Sequence, residues 1–97
     1  MTSKITRAAN GRECMIRVPG HCQWQPTVAC HWRDAAMSGK GEKCPDLLSA
    51  WGCPACHAIV DSYGTSIGMD RNEARRLHAE GIMRTQYRLI KDGVIRV

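Results

Sequence analysis

Cys53-Pro54-Ala55-Cys56-His57-Ala58-Ile59-Val60-Asp61 is the stretch on which the fold turns. Two thiols in a C-x-x-C knuckle offer two corners of a tetrahedral Zn²⁺ site, with each sulfur about 2.3 Å from the metal. Pro54 is a residue favoured in the first helical turn, so the knuckle opens a helix expected from Pro54 to Tyr63, stopping at Gly64. On that helix His57 and Asp61 are four residues apart, which sets them on one face with Cβ atoms about 5–6 Å apart. An imidazole and a carboxylate so placed suit a divalent cation with open positions.

The other two zinc corners must come from elsewhere. Cys14 and Cys22 are separated by seven residues, and the intervening Pro19-Gly20 signals a chain reversal. The reading is one structural Zn²⁺ on Cys14, Cys22, Cys53 and Cys56. Cys44 is the substitute ligand, and His57 in place of one thiol is a further alternative. Simple buried thiols, or a redox dithiol at Cys53 and Cys56 with no bound metal, are the competing readings. Cys53-x-x-Cys56-His57 also spells a c-type haem attachment site, but that chemistry needs export, and four further cysteines would be unusual there.

The rest of the composition makes a metal useful. The chain has 97 residues, no Phe and 5% aromatics, with mean hydropathy −0.36. That is one domain with a thin core, so zinc would supply much of the folding free energy. Leu47–Val60, a stretch free of Lys, Arg, Asp and Glu, is too short to cross a bilayer. Met1–Arg7 holds no apolar run of the secretory kind. The expectation is a cytoplasmic protein, where paired thiols bind metal more often than they form disulfides.

Charge is partitioned. Residues 1–43 carry +4, residues 44–70 carry −3 and residues 71–97 carry +4, for a net +5. Basic flanks around an acidic centre suit a phosphate-binding surface beside a cation site, although a solvated basic face is the commoner meaning. Residues 1–12 read as a polar, basic arm ahead of a domain over 13–97. Cys14–Val18 and Thr27–Arg33 read as a two-stranded ribbon. In the second run Val28, Cys30 and Trp32 face one way, and Thr27, Ala29, His31 and Arg33 the other. Ser38–Lys43 reads as a flexible loop without the spacing of a phosphate-cradling motif. Asp70 followed by Glu73 starts a helix from Arg71 to about Glu80, with Ala74, Leu77 and His78 inward. Gly81 ends or weakens it, and Thr85–Lys91 forms a further helical stretch, or else a strand turning at Asp92-Gly93. Trp24, Trp32 and Trp51 are expected in the core.

Taken in order, Cys14…Cys22, Val28-Ala29-Cys30-His31-Trp32, Pro45-Asp46-Leu47-Leu48 and Cys53-x-x-Cys56-His57-x-x-x-Asp61 resemble an HNH (ββα-metal) nuclease. Gly11-Arg12-Glu13-Cys14 and Glu80-Gly81-Ile82-Met83-Arg84-Thr85-Gln86 extend the likeness to the YbcO-type nucleases of prophages, related to the phage Ref recombination-enhancement nuclease. The resemblance covers residues 11 to 97. It implies an α+β fold, a small zinc-stapled HNH-like domain with additional C-terminal helices. It also implies a DNA endonuclease acting with Mg²⁺ or Mn²⁺ in a bacterial host cell, a recombination protein as partner, and no membrane.

In that family His31 matches the general base, and His57 and Asp61 match the ligands of the catalytic cation. Asp46 falls near the central Asn that positions the base. Two departures stand out: Asp46 is not Asn, and Cys30 occupies the place where a ligand Asp or His precedes the base. A thiol is a poor partner for Mg²⁺. Arg33, Arg84, Arg88 and Lys91 are the expected DNA contacts, with Arg71 and Arg75 forming a second stripe. The rival expectation is a zinc module that binds nucleic acid or a recombination partner without cutting.

Overall fold

A computed structural model describes residues 3–38 and 44–97. Residues 39–43, most of the expected Ser38–Lys43 loop, lie outside the described residues. The chain forms α1 (Lys4–Arg7), β1 (Val28–His31), α2 (Ala35–Ser38), β2 (Ser49–Gly52), α3 (Pro54–Asp61), a 3-10 turn (Thr65–Ile67) and α4 (Arg71–Lys91). It is a small mixed α and β architecture around one two-stranded antiparallel sheet.

The expected ribbon between Cys14–Val18 and Thr27–Arg33 does not form. β1 pairs with β2 instead, in the register Val28↔Gly52, Ala29↔Trp51, Cys30↔Ala50 and His31↔Ser49. The Cys14–Val18 run meets β2 through one bond, Met15 N–H to the Trp51 carbonyl at 2.7 Å. The Trp51 N–H donates to the buried Thr85 hydroxyl at 3.0 Å. β2 is therefore enclosed by β1, the 14–18 run and α4, and all four of its residues are buried.

Small side chains make that enclosure possible. A Cβ on Gly52 would lie 2.6 Å from Cys30 Sγ and 2.7 Å from Ile16 Cδ1. Gly52→Ala should therefore overpack the core and cost about 1–3 kcal/mol, read as a lower midpoint in urea with zinc content unchanged. Wild-type stability in the variant would contradict this packing.

The two helical stretches expected either side of Gly81 are one helix of 21 residues. Gly81 does not end it; the glycine is there because the 15–16 backbone crosses it, with Ile16 Cα and Met15 O each 3.0 Å from where a Cβ would stand. Asp70 caps the helix, accepting from Asn72 N–H at 2.9 Å and Glu73 N–H at 3.3 Å. Arg76 pairs with Glu73 and with Glu80 (2.7 Å), and Arg84 reaches Glu80 at 3.4 Å. Such exposed pairs add a few tenths of a kcal/mol each, so the buried row Ala74, Leu77, His78, Ile82, Thr85 and Leu89 does most of the work.

Two apolar clusters result. One joins Ile16, Val18, Cys30, Ala50, Ile59, Val60, Leu77 and Ile82 to the cysteines of the knuckle. The other joins Ala9, Met15, Trp51 and Leu89, flanked by Ile5, Ala8, Val94 and Ile95. Residues 3–12 are thus packed rather than trailing. Thr27 Oγ1 donates to the Ala9 carbonyl at 2.7 Å, and Arg12 pairs with Asp92 at 2.6 Å. Trp51 is core as expected and Trp32 partly so, but Trp24 is 50% exposed.

Candidate functional site

The knuckle folds as its sequence suggests. Cys53 is the N-cap of α3, its sulfur accepting from Cys56 N–H at 3.5 Å, and Pro54 occupies the first turn. Gly20, at φ 78°, takes the left-handed conformation that the reversal after Pro19 requires, and Cys22 N–H closes the turn onto Val18 O at 3.1 Å. These two turns bring the sulfurs of Cys14, Cys22, Cys53 and Cys56 within 4.8 Å of one another.

Four sulfurs at 2.3 Å from one ion would stand about 3.8 Å apart, so the cluster is of the size a tetrahedral metal needs. Backbone N–H groups of Val18, Gln23 and Trp24 donate to Cys56, Cys53 and Cys22 at 3.4, 3.2 and 3.4 Å. Such donors favour thiolate. A hydrogen bond from the Cys56 thiol pushes Cys14 down to about 4, while the same bond pushes Cys56 up. Cys44 is buried elsewhere, its sulfur 3.9 Å from the Asp34 carbonyl. His57 turns to Asp61 rather than to the thiols. Neither substitute ligand belongs to the four-sulfur cluster.

A second constellation sits at the C-terminal end of β1. His31 pairs with Ser49 across the sheet, and Asp46 lies three residues before Ser49 in a turn fastened by the Ser49 hydroxyl on the Asp46 carbonyl at 2.6 Å. That places the Asp46 carboxylate 2.8 Å from His31 Nε2. Hydrogen bonds from the Ser3 hydroxyl and from His31 hold the Asp46 carboxyl below its usual range. A carboxylate only accepts, so it is Nε2 that donates in this pair.

Two residues on, no more than about 7 Å along an extended chain, Arg33 reaches Asp61 at 3.4 Å. Asp61 also meets His57 Nε2 at 3.1 Å. The end of β1 therefore lies between the loop carboxylate and the last turn of α3. Cys30 takes no part: it is buried, with its sulfur on Val28 O at 3.6 Å, and burial pushes its thiol up to about 12.

A family model described as "Putative nuclease YbcO" matches residues 3–94. The chain belongs to the YbcO family. Relatives carrying that description, from Escherichia coli (strain K12) and Enterobacteria phage 82, are each 38% identical over 94 residues, covering 95% of this chain and 96% of theirs. A solved structure described as "a putative bacteriophage protein from Escherichia coli str. K-12 substr. MG1655" matches with a TM-score of 0.74 and 37% identity. It covers 91% of this chain and 98% of that one.

Several basic residues of this YbcO-family chain are engaged within the fold. Arg75 packs over the Trp32 ring at 3.7 Å and donates to the Arg33 carbonyl at 3.0 Å. Arg71 lies over Tyr63 at 4.3 Å. Arg84 donates to the Met15 carbonyl at 2.7 Å, Arg88 stands 3.9 Å from Glu13 and 3.6 Å from Asp92, and Lys91 lies over Tyr87 at 5.7 Å.

His78 was expected inward but without a task. Its Nε2 is 2.9 Å from the Cys30 carbonyl; a carbonyl only accepts, so the nitrogen donates. Its ring meets Trp32 at 5.3 Å, which fastens the segment bearing His31 to α4. The hint in the sequence was its place on the inward row with Ala74 and Leu77. Burial holds the His78 pKa below its usual 6.5. The unfolded chain therefore binds the extra proton first, and stability is lost as pH falls below about 6.5 toward the folded value. Replacement by His78→Gln should flatten the fall in Tm below that pH relative to wild type; parallel curves would contradict the assignment.

Proposed function

We propose that this chain is a metal-dependent DNA endonuclease of the HNH type, with a structural zinc on Cys14, Cys22, Cys53 and Cys56. The carrying observation is the 2.8 Å pairing of His31 with Asp46 at the end of β1, two residues before Arg33, which reaches Asp61 of the His57–Asp61 pair on α3. The order β1, β2, α3 supports the same reading. So do the descriptions of the relatives as nucleases.

His31 Nδ1 takes the proton of the attacking water, and Asp46 fixes the tautomer and stabilises the imidazolium that forms. A positioned base of this kind contributes roughly 10²–10⁴-fold. His57 and Asp61 would hold Mg²⁺ or Mn²⁺, whose chemistry is to polarise the phosphate and relieve charge on the departing O3′. The donor set, one imidazole and one carboxylate, fits a cation that keeps waters and a phosphate oxygen in its shell. Arg33 pairs with the same carboxylate and would be released toward the phosphate if Asp61 held the cation. Contacts to phosphate alone carry no sequence information, so broad DNA specificity is expected.

The test is nicking of supercoiled plasmid by zinc-loaded protein. Cleavage is expected with Mg²⁺ or Mn²⁺ added and none without. Salt-sensitive DNA binding with no cleavage under either condition would overturn the nuclease and leave a non-cutting zinc module, the reading that the Arg33–Asp61 pairing favours.

A further inference from the structure

An open groove of about 430 Å³ lies at the other end of α4, lined by Glu13, Met15, Arg17, Met83, Arg84, Tyr87 and Arg88. It shares no lining residue with the His31–Asp46 or His57–Asp61 pairs; Gln86, about 100° round α4 from Tyr87, is the residue that reaches Leu47 beside Asp46, at 2.8 Å. Its floor is apolar and uncovered: Met83 is 60% and Tyr87 59% exposed. Three guanidinium groups edge it against one carboxylate.

Those cations are positioned rather than free-swinging. Arg17 donates through Nε to the Cys14 carbonyl at 3.0 Å and lies over the exposed Trp24 ring at 5.1 Å. Arg17 and Trp24 both sit at positive φ, 57° and 71°, a conformation uncommon for such residues. Arg88 keeps its carboxylate neighbours at 3.6 and 3.9 Å, and its buried Nε has no partner among the described residues. Its donors are under-used.

We infer that this groove docks single-stranded nucleic acid, with a base stacked on Tyr87 and phosphates held by Arg17 and Arg88. The charge surplus calls for an anionic occupant. A second copy would set the same cationic face against itself, because a two-fold contact is self-complementary. Exposed aromatic rings beside arginines recognise unstacked bases, whereas a duplex hides its base faces and offers phosphate. The inference deepens the nucleic-acid reading above, yet it concerns binding and needs no cleavage.

Anisotropy of end-labelled oligothymidylate, and of a labelled duplex of equal length, tests it in buffer without added Mg²⁺ or Mn²⁺. The single strand should bind more tightly than the duplex. Tyr87→Ala should weaken single-strand binding about tenfold, and Tyr87→Phe should retain it. Arg88→Gln, checked by circular dichroism and zinc content, should reduce the slope of log K against log salt by about 0.7. Unchanged affinity in Tyr87→Ala overturns the groove, even if plasmid nicking persists. Self-association that Tyr87→Ala disrupts, without oligonucleotide binding, overturns it in favour of a second copy. Tyr87-dependent binding by a protein that never nicks DNA upholds the groove while the nuclease reading falls.

Discussion

Cys53→Ser should abolish the cooperative unfolding transition, and a strong chelator should do the same to the wild-type chain. Zinc bound by four thiolates contributes on the order of 10–16 kcal/mol in small zinc domains near neutral pH. The whole stability of a domain is only about 5–15 kcal/mol. The cluster is also where the elements meet: Cys14 and Cys22 come from the segment before β1, Cys53 and Cys56 from the start of α3. Cys14, Cys53 and Cys56 belong to the same buried cluster as Ile16, Val60 and Leu77. Losing the ion leaves unshielded thiolates inside that core and separates its two halves. Cys44→Ser, outside the cluster, should keep the zinc and cost far less. The checks are zinc per chain by elemental analysis and thermal melts with and without chelator. A chelated protein that melts as before would remove the ion from the architecture.

His31→Ala should lower the plasmid nicking rate about 10²–10⁴-fold with zinc content unchanged. His31 is only partly exposed, on the end of a strand held by β2 and by the His78 bond to Cys30 O, so the substitution should remove the proposed base without unpinning the strand. Asp46→Asn should fall between wild type and His31→Ala. An amide still occupies the space beside Nε2 but cannot stabilise the imidazolium as a carboxylate does. A His31→Ala enzyme as fast as wild type would mean that another group activates the water. An Asp46→Asn enzyme slower than His31→Ala would mean that Asp46 acts on its own.

What the sequence disclosed and what it hid follow from the range of the forces involved. The knuckle, the Pro54 helix start and the Asp70 cap are local, and each appears where its residues put it. Cys14 and Cys22 could be joined to Cys53 and Cys56 because tetrahedral coordination demands four donors. β2 was illegible: Ser49, Ala50 and Gly52 have weak strand preference, and their small size matters only once Cys30 and Ile16 press against them. The same holds for Gly81, whose meaning is a contact with Ile16, sixty-five positions earlier in the chain. Trp24 is expected in the core with Trp32 and Trp51, whereas it lies beside Arg17 and stays half exposed. Asp46 and His31 were paired by family likeness; what sets their distance is the His31↔Ser49 register, which no local pattern shows.

Chemical rescue tests the base assignment most directly. Imidazole added to zinc-loaded His31→Ala, with Mg²⁺ or Mn²⁺ present, should restore nicking in proportion to its concentration and then saturate, while leaving wild type unaffected. A variant that stays inactive at every imidazole concentration, although folded, zinc-loaded and bound to DNA, would contradict a proton-accepting role for His31.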